Sequence, residues 1–171
     1  MAWRTALTVV RGASIDDLAP AGYLPAGGTA TPDEAIAAGL GERVWAVEHG
    51  GDVVLIGRGT DPDLAGTLHA VLGTEVVHGF FMGNLDYYTW CVAHAAGRRT
   101  WSWGEGEVVV DEGEPLPEEA GVRHLDERGL RRLIEARAGL ALADLASATA
   151  QSLAATPPEA RGKRRRWFGR G

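Results

Sequence analysis

Residues 74–110, TEVVHGFFMGNLDYYTWCVAHAAGRRTWSWGEGEVVV, constrain the fold more than any other part of the chain. β-Branched and aromatic runs separated by Gly83-Asn84, Ala95-Ala96-Gly97 and Gly104-Glu105-Gly106 predict consecutive antiparallel strands. With Ala96-Gly97 as the second turn, Trp90 faces Trp103 and Val92 faces Trp101, with Tyr88 on the same side. Tyr87, Thr89, Cys91, Ala93, Thr100 and Ser102 share the opposite, smaller and more polar side. Aromatic cross-strand pairs add about 0.2–1 kcal/mol each. A one-residue slip would set the tryptophans against polar partners, so the register is well specified.

The flanking segments read as covers for this sheet. WRTALTVV (3–10) alternates as a first strand. Ser14 caps a short helical turn, SIDDLA, and residues 20–30, rich in Pro and Gly, read as a loop. Thr31-Pro32-Asp33-Glu34 is a capping box opening a short helix that ends near Gly39. RVWAVEH and DVVLIGR flank Gly50-Gly51, a two-residue hairpin signal. Trp45 then faces Ile56, Val47 faces Val54 and His49 faces Asp52, and that side is expected to be the core. Asp61 and Pro62 open a helix with Leu64, Leu68, Val71 and Leu72 on one stripe, ended by Gly73. Asp126 caps a helix ended by Gly139, with Leu125 stapling onto Leu130. LALADLASATAQSLAA reads as a last alanine-rich helix.

Strand runs followed by helices predict the α+β class. The expected architecture is a single domain, a mainly antiparallel twisted sheet of about six or seven strands covered by helices on one side. The domain spans residues 1–155, and 156–171 form a basic flexible tail. A chain of 171 residues is long enough for a real core. The absence of a secretory or membrane-length apolar run points to the cytoplasm. One cysteine excludes an internal disulfide framework.

Charge is uneven. Arg161, Lys163, Arg164, Arg165, Arg166 and Arg170 crowd the end of a chain of net charge −6. Taking those six from the 17 basic residues leaves 11 against 23 acidic ones, a body of −12. With Trp167 and Phe168 interleaved, the tail fits phosphate neutralisation with base stacking, or an anionic surface. A solvated tail, or one folded back on its acidic body, is the alternative.

No phosphate loop or dinucleotide fingerprint occurs, no His-Glu-x-x-His spacing exists, and no cofactor or metal is expected. Cys91 and His94 lie i, i+3 on a strand and point to opposite faces, so Cys91 reads as a buried small residue rather than a nucleophile. His49 with Glu48 and Asp52 reads as a charge pair at a hairpin end. Asp111, Glu112, Glu114, Glu118 and Glu119 read as a solvated acidic loop, or a docking surface for a basic partner. Candidate binding residues on the body are Asp86, Tyr87, Trp101, His49 and Asp52, with the first three expected around an uncovered sheet face.

WRTALTVVRGASIDDL, and the passage from VVVDEGEPLPEE through a helix to GLALADL, resemble small uncharacterised actinobacterial α+β proteins. The strand-to-GEPLP exit is also similar to sheet modules of bacterial immunity-protein type. The resemblance implies a fold type and transfers no site. The function expected is a non-enzymatic binding protein of immunity or accessory kind with an unspecified protein partner. The alternatives are an adaptor for nucleic acid or an anionic surface acting through the tail, and an enzyme with a site near Tyr87 or His49.

Overall fold

The structure is a computed structural model describing residues 3–41, 43–57 and 63–155. The expected helix opening at Asp61-Pro62 and the basic tail, with its candidate contacts from Arg161 to Arg170, lie outside the described residues. Among the described residues twelve elements build the α+β fold: β1 (Arg4–Val10), β2 (Tyr23–Ala30), α1 (Pro32–Ala37), β3 (Val44–His49), β4 (Asp52–Gly57), α2 (Leu64–Leu72), β5 (Val76–Met82), β6 (Tyr87–His94), β7 (Gly97–Gly104), β8 (Glu107–Glu112), α3 (Glu127–Ala138) and β9 (Ala150–Ala155). Short 3-10 turns cover Asp16–Ala21, Gly83–Leu85, Pro117–Glu119 and Leu142–Ser147.

The strands form one nine-stranded sheet in the order β2-β9-β3-β4-β1-β5-β6-β7-β8, not six or seven strands, and every pairing is antiparallel. The two additional strands come from segments read otherwise. Residues 20–30 contain β2, whose Pro25 and Gly27-Gly28 are tolerated because β2 is an edge strand. The alanine-rich segment expected as helix yields only the Leu142–Ser147 turn and then β9, which inserts between β2 and β3. That slot offers backbone partners on both sides, and this outweighs alanine's helix preference.

Both faces of the sheet are covered, not one. On the first, Leu7, Val9, Trp45, Val54, Trp90 and their neighbours pack under α3 and the Leu142–Ser147 turn. On the second, Val10, Ala46, Val53, Leu55 and Cys91 pack under α2 and the Asp16–Ala21 turn. This is why DVVLIG reads as a continuous apolar run: Val53, Val54, Leu55 and Ile56 are all buried. α3 sits so close to β5 that a Cβ on Gly79 would lie 2.4 Å from Ile134 Cδ1. On α2, Leu68 is buried while Val71 faces outward, so the stripe is narrower than its spacing predicts.

The Gly50-Gly51 hairpin has the expected register, with both glycines at positive φ. The second aromatic turn is Ala95-Ala96, which pairs Trp90 with Trp101 and Tyr88 with Trp103. That is a two-residue shift from the expected pairing, so every side chain keeps its face.

Candidate binding surface at the outer sheet edge

Arg99 shares a face with Trp101 and Trp103 because the three alternate along β7. Its side chain is 4% exposed, so its charge must be met by the protein. The segment after β8 meets it. Glu119 accepts from Arg99 Nε at 2.9 Å and from Nη2 at 2.8 Å. Asp111 pairs with Nη1, and the carbonyls of Glu112 and Gly113 accept from the same nitrogen at 3.1 and 3.3 Å. Glu119 also accepts from the Trp90 indole at 3.2 Å and the Leu116 amide at 3.3 Å. The hydrogen bonds to Glu119 hold the Arg99 guanidinium far above the usual arginine range, against the opposing effect of burial and with Asp111 adding to it.

Glu118 turns the other way. It accepts from Arg137 of α3 at 3.2 Å, while Glu75 accepts from Arg137 Nε at 3.1 Å. The Glu75 bonds are the largest influence raising Arg137 above its ordinary value, ahead of opposing burial and of Glu118. Two adjacent glutamates thus tie the Pro117–Glu119 turn to β7 and to α3. The expected solvated acidic loop is corrected here: Glu118 and Glu119 are drawn inward by the two arginines, while Glu112 and Glu114 stay exposed.

The fastened turn leaves an open hollow of about 370 Å³ lined by Trp101, Val108, Pro115, Leu116 and Val122 above the Arg99 cluster. Arg99 already gives its donors to carboxylates and carbonyls, so it shapes the hollow rather than binding an anion. Beside the hollow runs β8, whose outer edge pairs with no described strand. Its pairing with β7 shifts by one residue between Ser102↔Val110 and Trp103↔Val108, a bulge at Val109. Val108 and Val109 are 46% and 54% exposed. Pro25 and a long register break blunt the opposite edge, β2. β8 carries neither proline nor lysine, and its charges, Glu107, Asp111 and Glu112, are all acidic.

The expected grouping of Asp86, Tyr87 and Trp101 does not form. Trp101 is 7% exposed on the first face. Tyr87 lies on the second face, edge-on to Phe80 at 6.2 Å and over Gly104. Asp86 is an exposed residue at φ 48° closing the Gly83–Leu85 turn. Of the three, only Trp101 lines the hollow. At the other hairpin, Asp52 accepts from the Gly12 amide at 2.8 Å and pairs with Arg11 at 3.1 Å, while Glu48 accepts from the Ile15 amide at 2.7 Å. Those two carboxylates fasten the β1 exit loop; His49 stands half-buried opposite Asp52. Cys91 is buried, 3.6 Å from the Thr100 hydroxyl. Among the described residues no three His, Cys, Asp or Glu side chains are grouped to hold a metal ion, and no helix is long and apolar enough to cross a membrane.

A second cavity, about 120 Å³, lies between β1, α1 and the Leu142–Ser147 turn. Apolar side chains dominate its wall, and Arg131 at its rim stacks 4.8 Å over Trp3. No known protein family, curated protein or solved structure matches the chain.

The sequence carries a signal for the Arg99 cluster. An arginine in phase with two tryptophans on a core-facing strand requires a buried carboxylate. Which carboxylate answers is set by tertiary structure.

Proposed function

We propose that the protein is a non-enzymatic interaction module, of accessory or immunity kind, that takes an extended basic segment of a protein partner along the outer edge of β8. The observation that carries this reading is the outer edge of β8, which pairs with no described strand, with two exposed valines, acidic charges only and an apolar hollow alongside. An added strand would take main-chain hydrogen bonds from β8 and place alternate side chains toward the hollow. Arginines on that strand would meet Glu107 and Glu112. The fastened Pro117–Glu119 turn keeps the hollow open without the partner, which limits the ordering cost of binding.

Titration of the full chain with a short fluorescent peptide alternating arginine and valine tests this. Saturable binding is expected, weakened about tenfold or more by Glu107→Lys with Glu112→Lys, since such rim charges govern complementarity. Equal binding by the double variant contradicts the assignment to β8.

The acidic body beside a +6 segment favours a second reading: an adaptor for nucleic acid or an anionic surface through residues 161–170. It predicts salt-sensitive binding to such polyanions that disappears when Arg164, Arg165 and Arg166 are changed to glutamate.

A further inference from the structure

We infer that the segment taken by β8 is the basic run of a second copy of this chain, residues 161–170. The inference rests on the β8 reading and names its partner. Arg161, Lys163, Arg164, Arg165, Arg166 and Arg170 complement Glu107, Glu112 and their exposed neighbours Glu105 and Glu114. Trp167 and Phe168 match a hollow walled by Trp101, Pro115, Leu116 and Val122.

Reach favours another copy's edge over the chain's own. The described chain ends in β9, the second strand from one edge, and β8 is the opposite edge. Seven strand spacings separate them, about 34 Å at about 4.8 Å each. Lys163 lies eight residues beyond Ala155 and even fully extended spans only about 28 Å. A path around α3 or α2 is longer still. Arg161 to Arg164 therefore fall short of the chain's own β8. Arg165 to Arg170, 10 to 15 residues beyond Ala155, span about 35–52 Å fully extended and would reach it only across a sheet covered on both faces. The run as a whole fits along the β8 of another copy, which is not so restricted. Pairing of β8 with β8 would oppose carboxylates, so like charge disfavours the symmetric alternative. The resulting contact is head-to-tail, the kind that grows into rings or open chains.

Sedimentation velocity of the full chain, over a concentration series at low and high salt, tests this with two full-chain variants. One carries Arg164→Glu, Arg165→Glu and Arg166→Glu; the other carries Glu107→Lys and Glu112→Lys. Concentration-dependent assembly at low salt, reversed by salt, is expected for the unaltered chain. Each variant alone is expected to stay monomeric. Their mixture is expected to assemble, because opposite charges are again available between copies. A monomeric unaltered chain at every concentration overturns the self-association and leaves the β8 reading to the peptide titration. Assembly undiminished by the edge variant overturns both. Assembly that occurs only with co-sedimenting nucleic acid overturns the inference in favour of a polyanion partner.

Discussion

Trp90 and Glu119 meet where the sheet joins the turn after β8: the indole N–H donates to the carboxylate at 3.2 Å. Trp90 is fully buried, and its indole is one of three groups that converge on Glu119, with Arg99 and the Leu116 amide. A carboxylate with this many donors is a fixed point. The wall of the hollow formed by Pro115, Leu116 and Val122 stands where it does because Glu119 is held.

Removing Arg99 tests that fixed point. Arg99→Met leaves Glu119 largely buried, its side chain 8% exposed, without its cation. A loss of about 3–5 kcal/mol is expected from breaking one side of a buried pair. Adding Glu119→Leu should recover much of it, because the unpaired charge is then gone. Denaturant unfolding followed by tryptophan fluorescence measures both. A small effect from the single variant would show that the Trp90 indole and the Leu116 amide, not Arg99, hold Glu119 in place.

Gly113 makes an independent test of the same segment. It sits at φ +82°, and a Cβ there would lie 2.1 Å from the Arg98 carbonyl oxygen, an atom of backbone with little freedom to retreat. Gly113→Ala should destabilise by about 1–3 kcal/mol and weaken peptide binding at the neighbouring edge. Gly121→Ala is the control: it shares a positive φ but meets nothing within 4 Å. Thermal unfolding of the pair separates the clash from the backbone strain.

The capping box of α1 gives a pH dependence. Hydrogen bonds from the Thr31 backbone and then its hydroxyl hold Glu34 below its ordinary value of 4.5. A carboxylate with a lowered folded pKa contributes stability above its unfolded pKa. That contribution is lost as the pH falls through the folded value. Thr31→Ala removes the hydroxyl but keeps the amide, at 2.8 Å from Glu34. The Glu34 pKa should rise part of the way back, and the acid-side slope of stability should become shallower. NMR titration of the Glu34 carboxyl checks the first, and unfolding as a function of pH checks the second.

Local chemistry made parts of this fold readable. The Thr31–Glu34 box, the Asp126 cap and the Gly50-Gly51 hairpin depend on neighbouring residues alone, and all three stand as expected. The aromatic strands kept their faces although their register moved by two residues, because a side-chain period of two survives an even shift. β2 and β9 were hidden for the opposite reason. Pro25-Ala26-Gly27-Gly28 and Ala150-Gln151-Ser152 lie in strands because β2 meets β9, more than a hundred residues away, and β9 in turn meets β3. The proposed binding edge divides in the same way. The valines of β8 and the acidic loop are visible in the sequence, but the inward turn of Glu118 and Glu119 depends on Arg137 and Arg99, which arrive from distant elements.

The most direct measurement is residue-resolved hydrogen exchange across β8, with and without the arginine–valine peptide. It is best made on the full chain carrying Arg164→Glu, Arg165→Glu and Arg166→Glu, which cannot supply a basic strand of its own. Slowed exchange confined to amides of Glu107–Glu112, with β2 amides unchanged, is the predicted result. Unchanged β8 exchange at saturating peptide, or slowing centred elsewhere, would contradict the claim that the outer edge of β8 is where this protein binds.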